Sequence, residues 1–179
     1  MLLDTCVLYP NYLRDTLLRL AEAELYEPLW SADILEELRR NIADRKDEAY
    51  AKRLVDVMAS AFPDSCVVGY EQLIPVMGND PKDRHVLAAA VRGQAHAVVT
   101  DNLRDFADDS VRPYDIEVFS ADTLLLDLLD LAPRRVAVVL AEQAARYRRE
   151  PRDVHGLLDR LAAGGAVQFA SEVRRRMTS

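Results

Sequence analysis

The chain has 179 residues, half of them apolar and 30% charged, which is the make-up of an ordinary globular protein: room for one α/β domain and a small appendage. Its longest apolar runs fall far short of the ~20 residues a membrane span needs. An acid inside the first apolar run argues against a secretory leader, so a cytoplasmic protein with no membrane partner is expected. A net charge of −7 speaks mildly against nucleic-acid binding, but the charge is uneven: from Arg134 onward there are ten basic and five acidic residues, against 13 and 25 before it.

In chain order, residues 2–8 read as a short buried strand, apolar except for Asp4 and Thr5. Pro10 and Asn11 open a helix with Leu13, Leu17, Leu18, Leu20 and Leu25 at apolar positions. Ser31 is a good N-cap for a second helix reaching about Asn41, and a third helix over 47–62 stops at Pro63. Residues 66–68 form a candidate strand. Asp80-Pro81 is a sharp start signal, an N-cap acid with proline at the first helical position, for a helix that ends at Gly93. Two more strands follow at 95–100 and 116–119. Strands alternating with helices predict an α/β fold of three layers, with a mostly parallel sheet covered on both faces.

From Ala121 the pattern is helical only: 121–130, 135–149, 153–162 and a last helix ending near Arg176, punctuated by Pro133, Pro151 and Gly164-Gly165. The expected organisation is therefore an α/β domain over 1–121 and a C-terminal helical extension over 122–179. Cys6 and Cys66 lie in short apolar runs and read as core thiols, and His85, His96 and His155 lack metal-ligand spacing, so no zinc site is expected.

The carboxylates carry the functional signal. Asp4 sits in an otherwise apolar run, where a charge is costly unless compensated. It either caps the next turn or points beyond the strand end, where open parallel sheets bind ligands. Asp83 shares a helix face with Val86 and Leu87, so an acid in the first turn lies on the side that must be buried. Asp80 is explained as an N-cap. Asp101 directly follows the strand over 95–100, and Asp105 can reach the same place from a short turn. In the second helix Glu37 flanks the stripe of Ile34, Leu35, Leu38 and Ile42, while Glu36 points further away. By spacing alone both read as solvated glutamates, with Glu37 slightly favoured. Carboxylates converging without a nearby histidine or cysteine suit Mg²⁺ or Mn²⁺, which can serve phosphodiester hydrolysis. No phosphate-cradling glycine motif and no serine-nucleophile elbow is present.

Taken in order, Leu2-Leu3-Asp4-Thr5-Cys6-Val7-Leu8, Ile34-Leu35-Glu36-Glu37-Leu38, Asp80-Pro81-Lys82-Asp83-Arg84-His85-Val86-Leu87 and Val98-Val99-Thr100-Asp101-Asn102-Leu103-Arg104-Asp105-Phe106 resemble the successive motifs of PIN domains. The resemblance covers about the first 120 residues and extends to the VapC-type toxins of toxin–antitoxin pairs. It implies a Mg²⁺- or Mn²⁺-dependent endoribonuclease with an RNA substrate, a cognate antitoxin partner and, as is common in the family, a homodimer. Carried over by position, Asp4, Glu37, Asp83 and Asp101 are the implied catalytic and metal-binding acids, with Asp105 sharing the last motif and the choice between Asp101 and Asp105 open. The resemblance decides for Glu37 over Glu36. Thr5 and Asn102 match supporting positions. The helical tail exceeds a minimal PIN domain, and its Arg146, Arg148, Arg149, Arg174, Arg175 and Arg176 are expected to supply phosphate contacts that the acidic body lacks.

Two rivals were weighed. A haloacid-type hydrolase also begins with a strand and an aspartate, but it needs a second aspartate two residues on, where Cys6 stands. A catalytically degenerate PIN domain acting as an RNA- or protein-binding module is the other, against which the acids at 4, 37, 83 and 101 argue.

Overall fold

The structure, a computed structural model, describes residues 1–178. Its strands are β1 (Leu2–Leu3), β2 (Trp30–Ser31), β3 (Cys66–Val67), β4 (Ala97–Val99) and β5 (Glu117–Phe119). Its α-helices are α1 (Thr5–Leu8), α2 (Asn11–Glu22), α3 (Ala32–Ala43), α4 (Glu48–Ala61), α5 (Arg84–Arg92), α6 (Asp108–Val111), α7 (Ala121–Leu131), α8 (Pro133–Arg146), α9 (Val154–Ala163) and α10 (Val167–Met177). The chain forms two compact units: Met1–Tyr9 with Glu27–Phe119, and Pro10–Tyr26 with the chain from Ser120 on. The second unit thus takes in α2 as well as the C-terminal helices.

In the first unit every strand pairing is parallel. β1 pairs with β4 in the register Leu3–Val99, β4 with β5, and β2 with β3. A parallel bridge between Leu2 and Leu29 joins the two groups, with the Leu3 N–H donating to Leu29 O at 2.8 Å. Helix α5 packs against β1, β2 and β4 with Val86 through Ala90 all buried, which explains its unbroken apolar sequence. Its C-cap, Gly93, has no room for a side chain: a Cβ there would meet Val67 Cγ2 at 2.7 Å and Leu29 Cδ1 at 3.3 Å.

Several boundaries differ from those read in the sequence. β1 stops at Leu3, because the Asp4 side chain accepts the Thr5 N–H and starts the short helix α1. Val7 and Leu8 are buried from that helix and not from a strand, a choice that an apolar run this short does not settle. The Asp80-Pro81 start opens a 3-10 turn, Pro81–Asp83, and the α-helix begins only at Arg84. Cys66 is exposed while its strand neighbour Val67 is buried, so it is no core thiol.

In the second unit a buried polar network ties α2 to α8. Thr16 donates to Gln143 Oε1 at 2.8 Å, Gln143 donates to Tyr147, and the Tyr147 hydroxyl donates to Asp15 at 2.5 Å. Asp122 of α7 accepts the N–H groups of Gln168 and Phe169, capping α10 with a carboxylate that its dipole favours. Among the described residues no helix is long and apolar enough to cross a membrane.

Candidate active site

The register of the sheet builds the first half of the site. With Leu3 beside Val99, the next residues, Asp4 and Thr100, stand side by side at the carboxyl ends of β1 and β4. Both are buried, and so is Thr5. Asp4 receives three donors: the Thr5 N–H on Oδ1 at 2.6 Å, the Thr100 hydroxyl on Oδ2 at 2.7 Å and the Cys6 thiol on Oδ2 at 3.1 Å. Both expectations for Asp4 therefore hold in one geometry, since it caps α1 and also faces the strand ends. Burial, with the neighbouring Asp4 adding to it, pushes the Cys6 thiol up to about 12, so the sulfur keeps its proton and donates it. Cys6 Sγ in turn accepts the Asp101 N–H at 3.2 Å, and Thr100 Oγ1 accepts the Asn102 N–H at 3.1 Å. The expectation of acids with no cysteine beside them is thus corrected by Cys6.

Thr5 links this corner to α3. Its hydroxyl lies 3.1 Å from Glu37 Oε2 and 3.3 Å from Ile34 O, which places Glu37 toward the site. Glu36 is engaged elsewhere, accepting both Nε and Nη2 of Arg39.

The second half comes from the turn before α5. Asp83 occupies the cap position of α5 but makes no side-chain cap bond. Its Oδ2 is buried with no hydrogen-bond partner, and the Lys82 ammonium stands 3.8 Å away. Desolvation and then the charge of Asp4 raise the Asp83 carboxyl to about 6 against the opposing charge of Lys82, with the Asp105 charge and a hydrogen bond from protonated Asp83 to Asp105 adding to the rise. Asp105 is salt-bridged to Lys82 at 2.9 Å, which holds its own carboxyl below the usual range. The Asp105 carbonyl also accepts the Asp80 N–H, fixing the two turns together. Asp101 and Asn102 are exposed at the end of β4.

An open cleft of about 670 Å³ reaches two of the candidate acids, Glu37 and Asp83, and is lined also by Arg39, Arg40, Lys82 and His85; Asp4, Asp101 and Asp105 are not among its lining residues. Among the described residues, no three histidine, cysteine or acidic side chains stand close enough to hold a metal ion together. Asp4 and Asp83 meet electrostatically and Glu37 meets Asp4's corner through Thr5, while Asp101 enters through its backbone.

The tail arginines divide into two groups. Arg174 pairs with Asp159 at 2.6 Å, Arg175 with Glu172 at 2.6 Å, and Arg176 with both Glu172 and Asp130. Arg146, Arg148 and Arg149 are exposed, and among the described residues no ion pair holds them.

Thr100, Cys6 and Lys82 were not singled out from sequence. Thr100 had a usable signal: once β1 and β4 are paired in parallel, the residues ending both strands become neighbours. Cys6 and Lys82 acquire their roles only from the side-chain geometry.

Compared with known proteins, residues 1–104 match the family model described as PIN domain, and residues 121–175 match the one described as VapC50 C-terminal domain. A Mycobacterium tuberculosis protein, named provisionally as the ribonuclease VapC50, is 46% identical over 112 residues. That match spans 62% of this chain and 65% of the relative, less than two thirds of its length. No solved structure matches.

Proposed function

Since this chain belongs to the PIN-domain family, we propose that its acid-lined cleft is the centre of a divalent-metal-dependent endoribonuclease, acting as the toxin of a toxin–antitoxin pair. The observation that carries this reading is Asp83: a buried carboxylate oxygen with no donor, destabilised by facing Asp4 and Asp105. Such an atom is stabilised by a cation. The donor set is all oxygen at Asp4, Glu37 and Asp83, which suits Mg²⁺ or Mn²⁺. Mg²⁺ needs only one or two protein carboxylates and completes its shell with water and substrate phosphate, in keeping with a site that does not gather three acids by itself. When bound, such an ion activates water and stabilises charge on the leaving oxygen.

The protein's own residues do the rest. Thr5, Cys6 and Thr100 lock the Asp4 carboxylate in one orientation with three donors. Glu37 and Asp83 present acid to the cleft, and Arg39, Arg40 and Lys82 line it with positive charge suited to an RNA backbone. Asp101, whose backbone N–H donates to Cys6 at the end of β4, is the further acid that this reading assigns to the site. The relative's name, ribonuclease VapC50, supports the same substrate and, through the VapC type, a cognate antitoxin as partner.

A binding module without catalysis is the second reading, and the absence of three convergent metal ligands among the described residues favours it. Cleavage of total cellular RNA with Mg²⁺ or Mn²⁺, against an EDTA control, separates the two. Wild type is expected to cleave only with metal, and Asp83→Asn to lose about a hundredfold or more in rate, equivalent to ~3 kcal/mol of transition-state stabilisation. Equal behaviour of wild type and Asp83→Asn transfers the protein to the binding-module reading.

A further inference from the structure

We propose that Lys82 is a positioning residue of this centre, an internal cation that neutralises Asp83 and Asp105 before a divalent ion binds and contacts an RNA phosphate afterwards. The inference rests on the nuclease reading above and deepens it.

Its basis is where the charges stand. The Lys82 ammonium lies 2.9 Å from Asp105 Oδ2 and 3.8 Å from Asp83 Oδ2, so it is bonded to one acid and reaches only the field of the other. The buried Asp83 Oδ2 therefore still lacks a hydrogen-bond donor. Of the three cations lining the cleft, Arg39 is held by Glu36 and Glu48, and Arg40 stands 4.0 Å from Glu36. Lys82 is the one ion-paired with the acids of the site itself.

Lysine suits a charge that has to move. Its ammonium is a point charge on a flexible four-carbon stem, whereas an arginine fork would settle into a bidentate pair with Asp105. The Lys82 side chain is 63% exposed, and ion pairs of that exposure add little stability, so releasing Asp105 costs little. Once a divalent ion takes over the negative charge of Asp83, the attraction holding Lys82 weakens. A substrate phosphate entering the cleft then competes with Asp105 for the ammonium.

The Coulomb interaction gives the proposal opposite signs in two measurements. Removing the lysine charge leaves the acids more negative, so a divalent ion binds more tightly. The same change removes a cation from the RNA path, so a polyanion binds more weakly. An ion pair that mainly braces the turn predicts that both affinities weaken together as the turn loses its geometry.

The test is a calorimetric titration of Mn²⁺ into wild type, Lys82→Met and Lys82→Arg. A second titration, at saturating Mn²⁺, uses a 2′-O-methyl phosphorothioate oligonucleotide that resists cleavage. Lys82→Met is expected to bind Mn²⁺ on the order of threefold to tenfold more tightly. It should bind the oligonucleotide about threefold to tenfold more weakly, with a flatter salt dependence. Lys82→Arg, which keeps the charge, should restore oligonucleotide binding. Both affinities unchanged in Lys82→Met, or both moving in the same direction, overturns the proposal while leaving the nuclease reading intact. Wild type that binds no Mn²⁺ at all overturns the metal reading and this proposal with it.

Discussion

The strand-end corner around Asp4 and the start of α5 around Asp83 contribute one acid each to the same site, and they hold them in opposite ways. At the corner, a backbone N–H, a hydroxyl and a thiol satisfy both oxygens of Asp4. At the helix start, Asp83 has an oxygen buried without a donor, and desolvation with two neighbouring carboxylates raises it to about 6. The contrast separates an acid whose charge the protein satisfies from one whose charge it leaves uncompensated. Asp4 is anchored by three donors, whereas among the described residues the only cation paired with Asp83 is Lys82, at 3.8 Å.

The widest separation between the two acids is expected from their amide variants. Asp4→Asn and Asp83→Asn should each slow RNA cleavage by about a hundredfold or more. Their stabilities should diverge. Asp4→Asn turns an NH₂ group toward one of its donors and should cost about 1–3 kcal/mol. Asp83→Asn removes a disfavoured charge from a side chain that is 12% exposed, and without metal it should gain roughly 2–3 kcal/mol at neutral pH. Denaturant unfolding of both variants in EDTA checks the signs.

A pH series sharpens the same contrast. A carboxyl raised in the folded state prefers to be protonated there, so Asp83 contributes stability below its unfolded value near 3.8 and loses that contribution as pH rises through about 6. Metal-free wild type should therefore lose stability between about pH 4 and pH 7 relative to Asp83→Asn. A parallel pH dependence for the two proteins excludes Asp83 as the source.

Smaller effects are expected from the donors that fix Asp4. Thr100→Val keeps the shape but removes the 2.7 Å hydroxyl bond, at a cost of about 1–2 kcal/mol. Cys6→Ala, losing the weaker thiol donor, should cost less, and Cys6→Ser should retain cleavage. The smallest change concerns the tail. Gln at Arg174, Arg175 and Arg176, which already pair with Asp159, Glu172 and Asp130, should alter the salt dependence of RNA binding less than Gln at Arg146, Arg148 and Arg149. Filter binding across a salt series ranks the two triple variants.

Much of this architecture was legible because it depends on local chemistry. Ser31 accepts a backbone N–H as the N-cap its sequence context implies, and Asp47 and Asp153, where the sequence places helix starts, do the same. The two acids were legible as charges that an apolar neighbourhood has to justify. What the sequence hid depends on distant partners. Thr100 reads only as the end of a strand until the parallel register sets it beside Asp4, and Cys6 reads as a core thiol until its sulfur is seen bridging Asp4 and the Asp101 N–H. β2, two residues long, is hidden because its second residue, Ser31, is also the N-cap of α3. The membership of α2 in the same unit as the C-terminal helices rests on contacts such as Thr16 with Gln143, 127 positions apart.

The central claim is that Asp83 is incomplete without a divalent cation, and thermal unfolding with and without Mn²⁺ at neutral pH tests it most directly. Mn²⁺ should raise the wild-type melting temperature in a concentration-dependent way. In Asp83→Asn the metal-free melting temperature should start higher and the Mn²⁺ increment should largely vanish. An equal Mn²⁺ response in wild type and Asp83→Asn, or a metal-free variant less stable than wild type, would contradict the account.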